Sequence, residues 1–257
     1  MALEIEGTSR QVTHILVAVP IFNEARTVVA VLREITEKIA NIPQQLDRTD
    51  LHFTLLALDD HSTDATPSLL ATLPIESIRQ LRNRGYGFAM QETFREAAAR
   101  NAEWCISIDC DEQHEPFRLV DFVRAALKGD VDVISGSRYM DDAHAHDSAP
   151  ADRRAINATL TAELNTALGL QLTDAFCGFK AYRTSAVTKL ALDADGYEFP
   201  MQFWVAAAAH ALRVEEISIR RIYLDETRRF GGGLDDSAVR LAHYRSTMQR
   251  ARERYTP

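Results

Sequence analysis

The run SIDCDEQHEP, Ser107 to Pro116, leaves an apolar stretch and at once gathers the carboxylates of Asp109, Asp111, Glu112 and Glu115 around Gln113 and His114. Like charges held this close repel one another, the more so where water is excluded. A bound cation is the direct compensation. Asp109 and Asp111, spaced i, i+2 after a strand, can both reach one ion if the chain turns there, and Gln113 can add a carbonyl oxygen. Hard divalent ions such as Mg2+ or Mn2+ favour oxygen donors and share their shell with substrate phosphates. The plainer reading is a solvated acidic turn with Asp111 capping the helix after Pro116, and the triplet alone does not exclude it.

Three further clusters could carry chemistry. In LDDHSTDAT, the paired Asp59 and Asp60 can accept hydrogen bonds from a nucleobase or ribose, whereas helix capping would use only one or two of these polar residues. PIFNE, Pro20 to Glu24, is a turn between strand and helix that a proline stop and an Asn cap would also explain. NRGYGFA, Asn83 to Ala89, sets Gly85 and Gly87 where backbone can approach a ligand, but Met90 stands where the third glycine of a dinucleotide fingerprint would fall. Arg138, the pair Arg153 and Arg154, and the pair Arg228 and Arg229 offer bidentate phosphate recognition. His144 and His146 read as exposed loop residues, and Phe199, Phe203 and Trp204 as helix packing.

Positioning these groups requires a regular frame. Apolar runs at Ile15–Val19, Leu51–Leu58, Ile75–Leu81, Trp104–Ile108 and Val131–Ser135 alternate with helical patterns at about Ala25–Ala40, through Leu70, Phe88–Arg100 and Pro116–Leu127. Continuous apolar strands alternating with helices predict an α/β fold with a mostly parallel sheet covered on both faces. In such sheets ligands bind beyond the carboxyl ends of the strands, which is where the polar clusters fall. After Arg138 a polar loop leads to a helix at about Arg154–Leu168, a helix at Glu198–Leu212, a strand at Val214–Tyr223, a glycine-rich turn and a terminal helix. One domain with an added C-terminal layer is the simplest organisation.

The chain has 257 residues, 46% hydrophobic, enough for a sizeable core, and a formal net charge of −8. That acidity argues against a general nucleic-acid binder. Cys105, Cys110 and Cys177 form no CxxC pair and read as reduced thiols of a cytoplasmic protein. The N-terminus lacks a signal-peptide pattern, and no apolar run approaches the roughly 20 residues of a membrane span. A lipid substrate would be met by peripheral association.

In this order, VAVPIFNEARTV, LALDDHSTDAT, NRGYGFAM, SIDCDEQHEP, ISGSRY and DAFCGFKAYR resemble the family-2 inverting glycosyltransferases of GT-A fold, closest to the dolichol- or polyprenyl-phosphate mannose or glucose synthases, over roughly residues 14 to 235. The resemblance implies a GT-A domain with a nucleotide-sugar half at about 14–137, an acceptor half at about 138–235 and a C-terminal helix over 236–257. It implies that Pro20, Phe22, Glu24, Asp59, Asp60, Asn83, Gly87 and Asp109 hold the nucleotide, and that Asp109, Asp111 and Gln113 hold Mg2+ or Mn2+. Arg138, Arg153, Arg154 and Asn157 would face an acceptor phosphate, and Arg228 would belong to a loop closing over the diphosphate. Asp111, Arg138 and Arg228 would then be the catalytic groups. The sequence departs from the pattern in three places: His61 in place of a glycine, Gly233 and Leu234 in place of Ser and Lys, and Pro200 and Gln202 where an acidic residue is common.

The reaction so implied moves a hexose from GDP-mannose or UDP-glucose to a polyprenyl or dolichyl phosphate at a membrane surface. A phosphate oxyanion needs positioning but no base; a hydroxyl acceptor would need one, with Asp174, Glu198 and Glu112 as candidates. A soluble or protein acceptor on the same fold, and an inactive nucleotide-sugar-binding partner subunit, are the alternatives. Homo-oligomerisation stays open.

Overall fold

The computed structural model describes residues 12–140, 151–220, 222 and 234–255. His144, His146, Arg228, Arg229 and Gly233 lie outside the described residues. Seven strands form one sheet: β1 (Thr13–Ile21), β2 (Leu51–Asp59), β3 (Glu76–Arg79), β4 (Trp104–Ser107), β5 (Val133–Ser137), β6 (Lys180–Arg183) and β7 (Val214–Ser218). Their order is β3-β2-β1-β4-β6-β5-β7. β1 pairs in parallel with β2 and β4, and β5 with β7. β6 runs antiparallel between β4 and β5, with Ile106 and Ile134 both opposite Ala181.

The expected strands β1 to β5 and β7 are present, and the sheet is mostly parallel. The sequence pattern did not reveal β6. It has four residues, opens on a charged lysine and follows a Cys-Gly-Phe turn, so it carries no apolar run of its own. β7 ends at Ser218 rather than Tyr223.

Two apolar layers cover the sheet. On one face α1 (Val28–Gln45) buries Val28, Val31, Leu32 and Ile35, an i, i+3, i+4, i+7 stripe, beside α4 (Leu119–Lys128). α1 starts three residues later than the pattern suggests, because Ala25 N–H is bonded to Asp64 and Thr27 Oγ1 to the Cys110 carbonyl, which holds the preceding turn open. On the other face lie α3 (Tyr86–Ala99), α5 (Ala151–Leu168), α7 (Phe199–Ala209) and α8 (Ser237–Tyr255). The short helices α2 (Thr66–Leu70) and α6 (Thr184–Val187) complete the connections. α7 is apolar all round because it is central: Phe203 and Trp204 are fully buried, and the indole N–H of Trp204 donates to the Ala175 carbonyl at 2.9 Å. No described helix is long and apolar enough to cross a membrane.

The loop before α7 is strapped down from several directions. Gln202, 5% exposed, accepts from the N–H groups of Asp193 and Ala194 at 2.9 and 2.8 Å and donates to the Asp193 carboxylate. Arg84 pairs with Asp195 at 2.8 Å, and Phe88 N–H donates to the Asp195 carbonyl. A Cβ on Gly87 would overlap the Ala194 carbonyl oxygen, so this glycine serves helix-to-loop packing. Gln202, a departure in the sequence pattern, is therefore a structural clamp. Gln202→Glu would set a carboxylate against Asp193 and remove a donor. It should lower unfolding free energy by about 1–3 kcal/mol, read as a lower urea midpoint at unchanged slope. Adding Asp193→Asn should restore most of that loss.

Candidate functional site

Because β1, β2, β4 and β5 all run the same way, their carboxyl ends open onto one cleft of about 830 Å³. Its walls include Pro20, Phe22, Glu24, Asp60, Asn83, Asp109, Asp111 and Gln113, together with Arg138, Arg153 and Asn157. Most of the residues singled out from sequence thus meet in one place.

At the acidic end three loops are knitted together. Asn23 Oδ1 accepts from Thr63 N–H at 2.8 Å and Asp64 N–H at 3.3 Å, while Asn23 N–H donates to Ser62 Oγ at 2.9 Å. Glu24 N–H donates to Thr66 Oγ1, and Thr27 Oγ1 donates to the Glu24 carboxylate at 3.0 Å. Asp60 accepts from the N–H groups of Arg84 and Gly85 at 2.8 and 2.6 Å; burial nevertheless pushes its carboxyl above the ordinary value. Asp59 is 1% exposed and lies behind the wall, its carboxylate engaged by Ser62 N–H at 2.8 Å and Arg79 at 3.4 Å. Asp59 and Gly87 are therefore built into the frame and do not line the cleft.

The Asp109 carboxylate is oriented by His114, whose Nε2 lies 3.0 Å from Oδ2. Burial opposes its charge, but His114, Lys180 and Arg138 hold its carboxyl below the usual range. A Cβ on Gly178 would overlap this carboxylate, so only glycine allows the β6 approach to come so close. Glu112 turns the chain with φ 58°, and Gln113 N–H donates to Asp111 Oδ1 at 3.1 Å. Asp109, Asp111 and Gln113 consequently face one cleft from one turn. Their oxygen donors suit Mg2+ or Mn2+, and no cluster of three His, Cys, Asp or Glu ligands stands among the described residues. Such an ion would complete its shell from substrate oxygens and water.

At the basic end Arg138 meets Asp174 through Nε at 2.6 Å and Nη2 at 2.9 Å. Asp174 is fully buried and also accepts from Asn157 Nδ2 at 2.8 Å and Phe176 N–H at 3.1 Å. Burial would raise its carboxyl, but the Arg138 guanidinium and the Asn157 bond hold it well below the carboxylate range. Asp174 is thus committed and cannot act as a base. Glu198 is bonded to Gly196 N–H and paired with His243 at 3.3 Å, outside the cleft lining. Of the three base candidates only Glu112 faces the cleft. Lys180, 4% exposed, donates to the Cys177 carbonyl, and burial lowers its pKa.

Arg153, Ile156 and Asn157 share one face of α5 and line the cleft, whereas Arg154 points outward with its guanidinium 6.0 Å from the Tyr139 ring. Sequence reasoning missed Tyr86 and Tyr197, stacked at 6.2 Å, and Arg240 and Tyr244 of α8. The i, i+4 spacing of Arg240 and Tyr244 on a polar helix was the available signal.

Asp174→Asn would leave Arg138 buried without its counter-charge and should cost about 3–5 kcal/mol. With a depressed folded pKa, the Asp174 contribution is present above about pH 4 and is lost as pH falls further. Thermal unfolding followed from about pH 6 to pH 2 should therefore show a steeper acid loss in the wild type than in the Asn variant.

The model of glycosyl transferase family 2 matches residues 16–191. An undecaprenyl-phosphate mannosyltransferase of Micrococcus luteus is 25% identical over 243 residues, 90% of this chain and 93% of that protein. A polyprenol monophosphomannose synthase of Mycolicibacterium smegmatis is 23% identical over 262 residues, 97% and 94% of the two chains. Among solved structures, glucosyl-3-phosphoglycerate synthase from Mycobacterium tuberculosis with Mn2+ and UDP-glucose superposes with a TM-score of 0.70 at 18% identity, covering 94% of this chain and 79% of that one. The same enzyme with phosphoglyceric acid gives a TM-score of 0.69 at 19% identity, covering 94% and 80%. With its mostly parallel sheet, its cleft at the strand ends and a family match over more than half its length, the chain is a member of glycosyl transferase family 2, with a GT-A fold.

Proposed function

We propose that this protein transfers a hexose from a nucleotide sugar to a polyprenyl phosphate with inversion, assisted by a divalent cation. The observation that carries the reading is the chemistry gathered in one cleft: the carboxylates of Asp109 and Asp111 share it with Arg138, Arg153 and Asn157. The names of the Micrococcus and Mycolicibacterium relatives supply the lipid-phosphate acceptor and favour mannose. A peripheral position at a membrane surface follows from such an acceptor.

Pro20, Phe22, Glu24, Asp60 and Asn83 would hold the nucleoside, and Asp109, Asp111 and Gln113 the cation. When bound, that cation offsets charge on the departing nucleoside diphosphate, as a Lewis acid does. Arg153 and Asn157, with Arg138 fixed by Asp174, would aim the acceptor phosphate at the anomeric carbon. One phosphate oxygen forms the new C–O bond as the bond to the diphosphate breaks, and the electron pair leaves with the diphosphate. The nucleophile is already ionised, so no proton must be removed. Asp174 and Glu198 are engaged by other partners, which leaves Glu112 as the cleft-facing carboxylate that a hydroxyl acceptor would need. A soluble phosphorylated acceptor is the second reading, favoured by the neighbouring synthase structure with phosphoglyceric acid.

Calorimetric titration with GDP, UDP, GDP-mannose and UDP-glucose, each with and without Mn2+, tests the donor site. One nucleotide should bind at least about tenfold more tightly with the metal, a difference of about 1.4 kcal/mol. The Asp109→Asn, Asp111→Asn double variant should remain folded and lose that metal dependence. Retention of it, or a folded wild type that binds none of the four, would sink the reading.

A further inference from the structure

Helix α8 lies beyond the 16–191 match to the family model, and its composition is polar. Two of its side chains nonetheless turn inward. Arg240 and Tyr244, one helical turn apart, are each 3% exposed, and both line the cleft. Withdrawing a guanidinium from water is costly unless its charge is used. Arg240 donates to the Leu234 carbonyl at 2.7 Å through one terminal nitrogen and to Asp152 at 3.0 Å through the other. Asp152 is itself 47% exposed, so much of its charge is turned to water. A clip between α5 and α8 is already provided elsewhere by the exposed Arg245–Glu163 pair.

The surroundings of Arg240 define what it could bind. Arg153 brings a second guanidinium into the same cleft from α5. Arg138 stands in the same wall, its guanidinium held by Asp174 through Nε and Nη2. Beside the arginines the wall is apolar: Ile156, Pro200, and Phe176 stacked on Tyr244 at 5.4 Å. Two cations next to an apolar floor match a phosphate attached to hydrocarbon better than a small polar phosphate.

We infer that Arg240, with Arg153, takes the phosphomonoester of the acceptor while Phe176, Tyr244 and Ile156 receive its adjoining apolar carbons, so that the C-terminal helix selects the acceptor. This rests on the transferase reading and adds a residue and an element to it. The guanidinium fork suits two phosphate oxygens at once, which a lysine cannot reproduce.

The full chain is titrated by calorimetry with farnesyl phosphate, inorganic phosphate and 3-phosphoglycerate, with UDP and GDP titrated separately to report on the donor site. Farnesyl phosphate should bind at least about tenfold more tightly than either small phosphate, reflecting apolar burial. Arg240→Gln should weaken it by about tenfold or more, with Arg240→Lys between, and leave nucleotide binding within about twofold. Asp152→Asn breaks the same ion pair but keeps the cation. It should share any loss of thermal stability while holding farnesyl phosphate within about threefold of wild type.

Equal weakening by Arg240→Gln and Asp152→Asn would reduce Arg240 to a structural clip and overturn the inference. So would farnesyl phosphate binding that ignores Arg240→Gln. Small phosphates binding as tightly as farnesyl phosphate would overturn the apolar acceptor. A chain that binds phosphate through Arg240 but no nucleotide would instead remove the donor reading, so the two failures are distinguishable.

Discussion

The arginine-lined side of the cleft depends on one buried anion. Lys180 is withdrawn from water and Arg138 is half-buried near it, and two such cations need a counter-charge. Asp174 supplies it. Its carboxylate takes three bonds from Arg138, two from the guanidinium and one from the backbone N–H, one from Asn157 of α5 and one from the Phe176 N–H, which ties the end of β5, the first turns of α5 and the approach to β6 to a single group. Its own N–H is held by Glu216 of β7, and Thr173 is bonded to the same carboxylate, so the anchor reaches the sheet edge. Because Arg138 and Asn157 are fixed from behind, their positions do not wait for a ligand.

The acidic half is built on the opposite principle. There Asp60 is steadied by the N–H groups of Arg84 and Gly85 and Asp111 by that of Gln113, while Asp109 is oriented by His114. Such partners orient a carboxylate without cancelling its charge, which leaves it able to bind a cation. Carboxylates held in this way and guanidinium groups held by Asp174 thus share one cleft.

What the sequence disclosed follows from how each residue does its work. Strands β1 to β5 were legible because a sheet covered on both faces needs continuous apolar runs, and the cleft was legible because polar clusters end those runs. β6 was not, because a four-residue strand shielded by neighbours on both sides needs no apolar signature beyond Ala181 and Tyr182. Pairs were harder to resolve than clusters. Asp59 and Asp60 are adjacent, yet one faces the frame and the other the cleft, and Arg153 and Arg154 divide between inside and outside of α5. Neighbouring residues on a strand or helix point different ways, so a doublet marks a place without saying which member is used. The partners of Asp174 and Arg240 were illegible for another reason: they lie 36 and 88 residues away.

Backbone conformation carries the same lesson further. Among the described residues six non-glycine residues have positive φ, and three of them, Asp47, Asn101 and Ala211, sit just past the ends of α1, α3 and α7, where a left-handed residue commonly closes a helix. The other three are Asn23, His61 and Glu112, at φ 57°, 63° and 58°, one in each loop that follows β1, β2 and β4. A histidine at the position where glycine was expected is thus a residue held in glycine's conformation, with its ring tied to the Gln80 carbonyl at 3.1 Å. Such backbone costs on the order of 1–3 kcal/mol per residue and persists only where neighbours over-determine it. Here they do: Asn23 is bonded to the His61 loop through Ser62, Thr63 and Asp64, and Thr27 reaches from the first loop to Cys110 in the third. None of the three loops could hold this shape alone. The strain and the cross-loop bonds belong to one arrangement, in which stability is given up locally so that the carboxylates face the cleft before a nucleotide enters.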